Sequence, residues 1–180
     1  MRIVAGKYRG KKLITPQNTE VRPTSDRARE SIFNILYSRF GGVQDKSVLD
    51  VFAGTGALGL EALSRGAKKV CFVDKDVKLV RQNAALFPSE KDNIDILCAD
   101  LCLPLRAKGA YDLIFSDAPY DKGLNEKALE NLAQSGFILP EAVCVVETRH
   151  NETLYLPQNF ERVDERVYGM AKVCFFIFHP

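Results

Sequence analysis

Apolar and polar positions along the 180-residue chain fall into two alternating rhythms. Short apolar runs bounded by turn residues recur at SVLDVF (47–52), KVCFVD (69–74), IDILCAD (94–100), YDLIFSD (111–117) and AVCVVET (142–148). Their length and β-branched content are those of buried strands. Between several of them stand segments with helical spacing: ALGLEALSR (57–65), VKLVRQNAALF (77–87) and NEKALENLAQS (125–135). An earlier helix, DRARESIFNILYSRF (26–40), sets Ala28, Ile32, Ile35 and Leu36 on one face. Asp26 in its first turn suits the helix dipole, and Gly41–Gly42 ends it. Strand–helix alternation of this kind predicts a doubly wound, Rossmann-like α/β sheet of parallel strands.

Both ends depart from that rhythm. NFERVDERVYG (159–169) and AKVCFFIFHP (171–180) are strand-like and separated by only a short turn, which makes them an antiparallel pair. RIVAGKYRGKKLIT (2–15) reads as two short strands around a turn near Tyr8–Lys11, followed by the Pro-containing connector PQNTEVRPTS. The expected division is an N-terminal hairpin and connector over residues 1–24 and a catalytic-type α/β domain over 25–180.

Composition changes this picture little, and charge changes it more. A content of 46% hydrophobic and 27% charged residues is that of an ordinary soluble protein. No signal-like segment or membrane-length apolar run is visible, so the expectation is a cytoplasmic protein with no membrane partner. Residues 1–30 carry eight Lys/Arg against three acidic residues, whereas the remaining 150 residues carry 17 against 20. A basic end on a mildly acidic body suggests a polyanion partner; a solvated basic tail is the plainer alternative. The five cysteines are odd in number, lack a CxxC pair and lie mostly in strand-like runs, so no metal site is expected.

Candidate chemistry gathers where the strands end. DVFAGTGALG follows the first strand, and Gly54-Thr-Gly56-Ala-Leu-Gly59 is a literal GxGxxG with Asp74 standing 20 residues after Gly54. This is the spacing of a dinucleotide site, so an NAD-dependent oxidoreductase is one reading. Asp50, four residues before Gly54, favours another, because a carboxylate repels a pyrophosphate but attracts the ammonium and sulfonium of S-adenosyl-L-methionine. Asp74 suits the ribose hydroxyls, and Asp100 at the third strand's end suits the adenine side. With Phe52, Ala53, Lys75 and Leu101 beside them, these residues form the candidate cofactor set. The fourth strand ends in Asp117-Ala118-Pro119-Tyr120. An amine conjugated with a nucleobase ring needs acceptors for its N–H bonds before it can attack a methyl group. Asp117 offers one, and the carbonyl of Ala118, held extended by Pro119, offers another. Tyr120 offers a face on which a base can stack.

The D-x-F-x-G-x-G of Asp50 to Gly56, followed by D-x-P-Y, resembles the amino-group S-adenosylmethionine methyltransferases. RIVAGKYRGKKLITP, VRPTSDRARESIFNIL and VFAGTGALGLEALSRGA together resemble the RsmD-type 16S ribosomal RNA guanine-N(2) methyltransferases of bacteria. The likeness runs from residue 1 to about residue 120, with the tail agreeing in layout only. It implies a seven-stranded sheet with an antiparallel last strand and a small N-terminal β element that helps to hold RNA. It also implies methylation of one guanine of 16S rRNA, free or within a small ribosomal subunit; separately, a monomer is expected. Lys7, Tyr8, Arg9, Lys11, Lys12, Arg22 and Arg27 are then the expected RNA contacts. The usual tetrapeptide of that family is D-P-P-Y, and Ala118 replaces its second residue, which predicts a more mobile loop. A DNA adenine methyltransferase, a protein-glutamine methyltransferase and an RNA-binding protein without cofactor are the remaining alternatives.

Overall fold

A computed structural model describes residues 1–16 and 25–180. Five parallel strands run through its centre: β1 (Ser47–Val51), β2 (Lys69–Asp74), β3 (Ile94–Cys98), β4 (Tyr111–Ser116) and β5 (Ile138–Arg149). The chain closes with β6 (Phe160–Tyr168) and β7 (Ala171–Phe178), and the sheet order is β3-β2-β1-β4-β5-β7-β6. The last strand therefore inserts between β5 and β6 and runs antiparallel to both. The order reverses at β1 and β4, which start out from the middle in opposite directions, and the crevice at such a switch point is where ligands bind.

Helices cover both faces: α1 (Asp26–Phe40), α2 (Ala57–Ser64), α3 (Lys78–Ala84) and α4 (Leu124–Gln134), with a 3-10 turn at Pro88–Asn93. Ser25 caps α1 by accepting a hydrogen bond from the Ala28 N–H, and Gly41 ends it in the left-handed conformation. Successive strand residues point to opposite faces and so feed two cores. Val48, Phe72, Phe115 and Phe175 pack on one side with Ile32 and Phe33 of α1 and Leu60 of α2. Leu49, Ile114, Cys144 and Phe176 pack on the other with Leu129 and Leu132 of α4. Among the described residues no helix is long and apolar enough to cross a membrane.

The N-terminal segment keeps the expected hairpin pairing in reduced form. A single antiparallel bridge, Arg2 to Lys12, replaces two regular strands. Its two limbs bond to each other, Ile3 N–H to the Lys11 carbonyl and Leu13 N–H to the Met1 carbonyl, and further backbone groups find partners on α2. The N–H groups of Val4 and Ala5 donate to the Glu61 carboxylate, and that of Tyr8 donates to Ser64 Oγ. Gly6, at φ +83°, lies so close that an added Cβ would overlap the Ser64 carbonyl. Ile3 and Leu13 are buried in the same apolar cluster as α1 and α2. Glu61 also faces Arg65 at 2.8 Å and the fully buried Arg29 at 3.6 Å, so one carboxylate joins the arm, α1 and α2. Buried ions need this kind of compensation, and removing one partner from such a group costs about 3–5 kcal/mol.

Candidate active site

The carboxyl ends of β1, β2, β3 and β4 open on one cleft, in two adjoining parts of about 390 and 710 Å³. Both volumes lie in the range of small-molecule sites. Phe52, Gly54, Asp74 and Asp117 line both parts, so the cavity is continuous across the sheet's switch point.

Its first wall is the glycine loop. The chain leaves β1 through Phe52 at φ +55°, Gly54 at +54° and Gly56 at +75°. The three glycines of the motif do different things. Gly54 faces open space, with its nearest neighbour 3.9 Å from an added Cβ, so it serves the backbone turn. A Cβ on Gly56 would meet Val80 at 2.7 Å, and one on Gly59 would meet the Phe72 ring at 2.4 Å. Those two allow α2 to lie close against β2 and α3. The loop is fastened by the very carboxylates expected to meet a ligand. Asp50 Oδ2 accepts from the Gly59 N–H at 2.9 Å, and Asp74 Oδ2 accepts from the Gly54 N–H at 2.9 Å.

Asp50 is 2% exposed. Burial pushes its carboxyl up to about 8; the Gly59 N–H partly offsets this and nearby Asp74 adds to it. Its charge at neutral pH is therefore poised, and a cation in the cleft would draw it into the ionised form. Asp100 stands two residues beyond β3, not at its last position, and pairs with Lys75 at 3.0 Å. The Cys102 N–H first, then Lys75, holds the Asp100 carboxyl below its ordinary value. Leu101 is buried beside it.

The opposite wall is the loop after β4. Asp117 lines both parts of the cleft, Ala118 is buried and Pro119 is exposed. Tyr120 donates its hydroxyl to Glu147 of β5 at 2.8 Å, and the Arg149 guanidinium lies 5.9 Å from its ring centre. Burial, then the Glu147 charge, pushes the phenol above its ordinary range, so it stays a donor. Arg149 also pairs with Asp121 at 3.3 Å. All the predicted cofactor and catalytic positions except Gly56 thus line one cavity.

Comparison with known proteins decides the family. The model of the family described as Conserved hypothetical protein 95 matches residues 1–177. The chain is 35% identical over 177 residues to ribosomal RNA small subunit methyltransferase D of Escherichia coli K12, covering 95% of this chain and 86% of that one. The enzyme of the same name from Haemophilus influenzae is 32% identical over 177 residues, covering 95% and 90%. The chain belongs to the RsmD-type methyltransferase family. The solved structure of the Escherichia coli protein yhhF matches with a TM-score of 0.85 at 31% identity, covering 99% of this chain and 98% of that one. The N-methyltransferase NodS of Bradyrhizobium japonicum, solved with S-adenosyl-L-homocysteine, shares the fold at TM-score 0.66 and 14% identity, covering 91% of each chain.

In this family member the basic arm forms an edge of the cleft, where Met1 and Pro16 join the lining. Asn83 of α3, fully buried, fastens it: its Oδ1 accepts from the Ile14 N–H, and its Nδ2 donates to the carbonyls of Ile14 and of Thr55 in the glycine loop. Several expected RNA contacts already have protein partners. The Tyr8 hydroxyl donates to Glu90 at 2.6 Å, and the ring meets Phe87 edge-on at 5.0 Å. Lys7 pairs with Glu90 at 2.9 Å, and Lys11 sits 4.8 Å over Phe87. Arg9, Lys12 and Arg27 are exposed, while Arg22 and most of the expected connector lie outside the described residues.

Sequence reasoning missed Arg29, Glu61, Asn83, Asn125, Glu147 and Arg149. Glu61 left a readable trace, a carboxylate in the otherwise apolar ALGLEALS, every residue of which is buried. Asn83 and Asn125 left none, because an Asn on a helix is ordinarily solvated.

Proposed function

We propose that the protein transfers a methyl group from S-adenosyl-L-methionine to the exocyclic N2 amine of a guanine in 16S rRNA. Family membership supports the coarser activity, methylation of small-subunit rRNA. The observation that carries the finer one is the joint cleft, with Asp50, Asp74 and Asp100 on one side and Asp117-Ala118-Pro119-Tyr120 on the other.

The chemistry of the lining fits a cationic nucleoside. A buried acid that a cation would draw into its ionised form favours a positive ligand group over a pyrophosphate. Asp50 and the Phe52–Gly56 loop would hold the methionine part. Asp74 would take the ribose hydroxyls, and Lys75, Asp100 and Leu101 would flank the adenine. The donor supplies an electrophilic methyl group on sulfur. Asp117 and the Ala118 carbonyl accept the two amine N–H bonds and hold the nitrogen lone pair towards that methyl. When the amine takes that methyl group, Asp117 would accept the surplus amine proton. Tyr120, fixed by Glu147, supports the base face. Lys11, Lys12, Arg9 and Arg27 supply sequence-independent phosphate contacts, with Lys7 and Tyr8 bracing the arm.

The test is methyl incorporation into unmodified 16S rRNA, unmodified small subunits and DNA, followed by mass spectrometry of the nucleosides. N2-methylguanosine from either rRNA substrate is the expected product. Label in adenine, in DNA alone or nowhere would overturn the proposal.

A further inference from the structure

We infer that Asn125 is a positioning residue that holds the Asp117–Tyr120 loop by hydrogen bonds where a second proline ring would otherwise stiffen it. What the loop does rests on the amine-methylation reading above; how it is held rests on geometry alone.

Asn125 lies in the first turn of α4 and is 4% exposed. Its carboxamide joins three elements. Oδ1 accepts from Ser116 Oγ at 2.7 Å and from the Ala118 N–H at 3.4 Å, while Nδ2 donates to the Glu147 carbonyl at 3.0 Å. The end of β4, the loop and β5 therefore meet at one side chain. Glu147 fastens the far end of the same loop through its own carboxylate and the Tyr120 hydroxyl.

The contact at Ala118 exists because residue 118 is not proline. A proline has no N–H to donate, and its ring fixes φ without outside help. In the D-P-P-Y pattern that this tetrapeptide resembles, the ring constrains the peptide that follows the catalytic Asp. Here the Asn125 oxygen restrains that peptide from outside. Ser116 is 1% exposed, and its hydroxyl anchors the Asn125 oxygen on the strand side. The loop expected to be mobile is thus tied at three points, by Ser116, Ala118 and Tyr120.

The experiment compares the wild type with Asn125→Leu, Ala118→Pro and the double variant. Three readouts are hydrogen exchange of the 116–121 segment, single-turnover methyl transfer to unmodified small subunits, and calorimetric affinity for S-adenosyl-L-homocysteine. Asn125→Leu is expected to speed exchange and to slow methyl transfer about 10- to 100-fold, the cost of misplacing a reacting group, with cofactor-product affinity within about 3-fold. Ala118→Pro, added to Asn125→Leu, is expected to restore most of the lost rate. Unchanged exchange in Asn125→Leu would overturn the inference. So would a rate loss that tracks lost affinity and thermal midpoint and that proline does not rescue. If Asn125→Leu does not fold, Asn125→Ala takes its place in the same cycle. Absence of methyl transfer by the wild type to any RNA would sink the substrate reading. The exchange pattern across the four proteins would still decide the role of Asn125.

Discussion

The two walls of the cleft are built by different means. The glycine loop is held by backbone: positive φ at Phe52, Gly54 and Gly56, close packing at Gly56 and Gly59, and N–H groups seated on Asp50 and Asp74. The loop of Asp117 to Tyr120 is held by side chains, with Asn125 and Glu147 reaching it from α4 and β5. The first wall takes its shape from its own backbone angles, with Asp74 and Asn83 fastening it from β2 and α3, whereas the second takes its shape from the side chains that reach it. The basic arm belongs to the second kind, since Glu61, Asn83 and Glu90 all come from elsewhere.

The sharpest probe of this contrast removes chemistry and leaves both walls standing. Asp117→Asn keeps the shape and removes the proposed proton acceptor. Its single-turnover rate should fall by roughly 10²–10⁴-fold, with S-adenosyl-L-homocysteine affinity little changed. A rate within a few-fold of wild type would move the proton acceptor elsewhere.

Next comes the backbone wall. Gly59→Ala drives a methyl group into Phe72 and should cost about 1–3 kcal/mol in urea unfolding, as overpacking does. Gly54→Ala meets no atom closer than 3.9 Å and pays only for its left-handed φ, about 1 kcal/mol. Equal losses at the two positions would break the distinction between packing glycines and turn glycines.

The arm gives a smaller, pH-dependent effect. The Tyr8 hydroxyl first, with Asn93 and Lys7, holds the Glu90 carboxyl at about 2, below its ordinary 4.5. Its folded-state value is depressed, so its contribution is complete above the ordinary value and drains away as pH falls towards 2. Glu90→Gln should therefore flatten the fall of thermal midpoint over that acid range, and a profile parallel to wild type would show that the contact adds no stability. The smallest effect is expected at the arm's surface. Lys11→Ala with Lys12→Ala should lower the salt slope of RNA binding by about 2. Unchanged binding at low salt would remove the arm from the RNA surface.

The same contrast explains what was legible in the amino-acid order. The sheet, its helices and the strand-end carboxylates were readable because each rests on local periodicity and motif spacing. The long β5 was read as starting at Ala142, yet it begins at Ile138. Its ladder with β4 shifts register between Tyr111 and Leu113, and Glu141 takes φ +63°, an irregularity that alternation does not encode. The third predicted helix was too long: α3 stops at Ala84 and Phe87–Pro88 starts the 3-10 turn. The arm's pairing was legible, but its attachment to α2 was not, because the partners there stand some 56 residues away. The link from Asn125 to Glu147 spans 22 residues and carries no pattern of its own.

The reversed strand β7 has a consequence for how such a molecule can change. Because β7 runs against its neighbours, the Gly169–Met170 turn lies beside β5's exit, where the His150 N–H meets the Met170 carbonyl. Tight, solvent-facing and followed by no crossover helix, that bend is a spot where extra residues can be spliced in without disturbing any layer. Extra residues there would lengthen the end of the sheet beside Arg149, which lines the cleft, and would leave the strand-end carboxylates where they are.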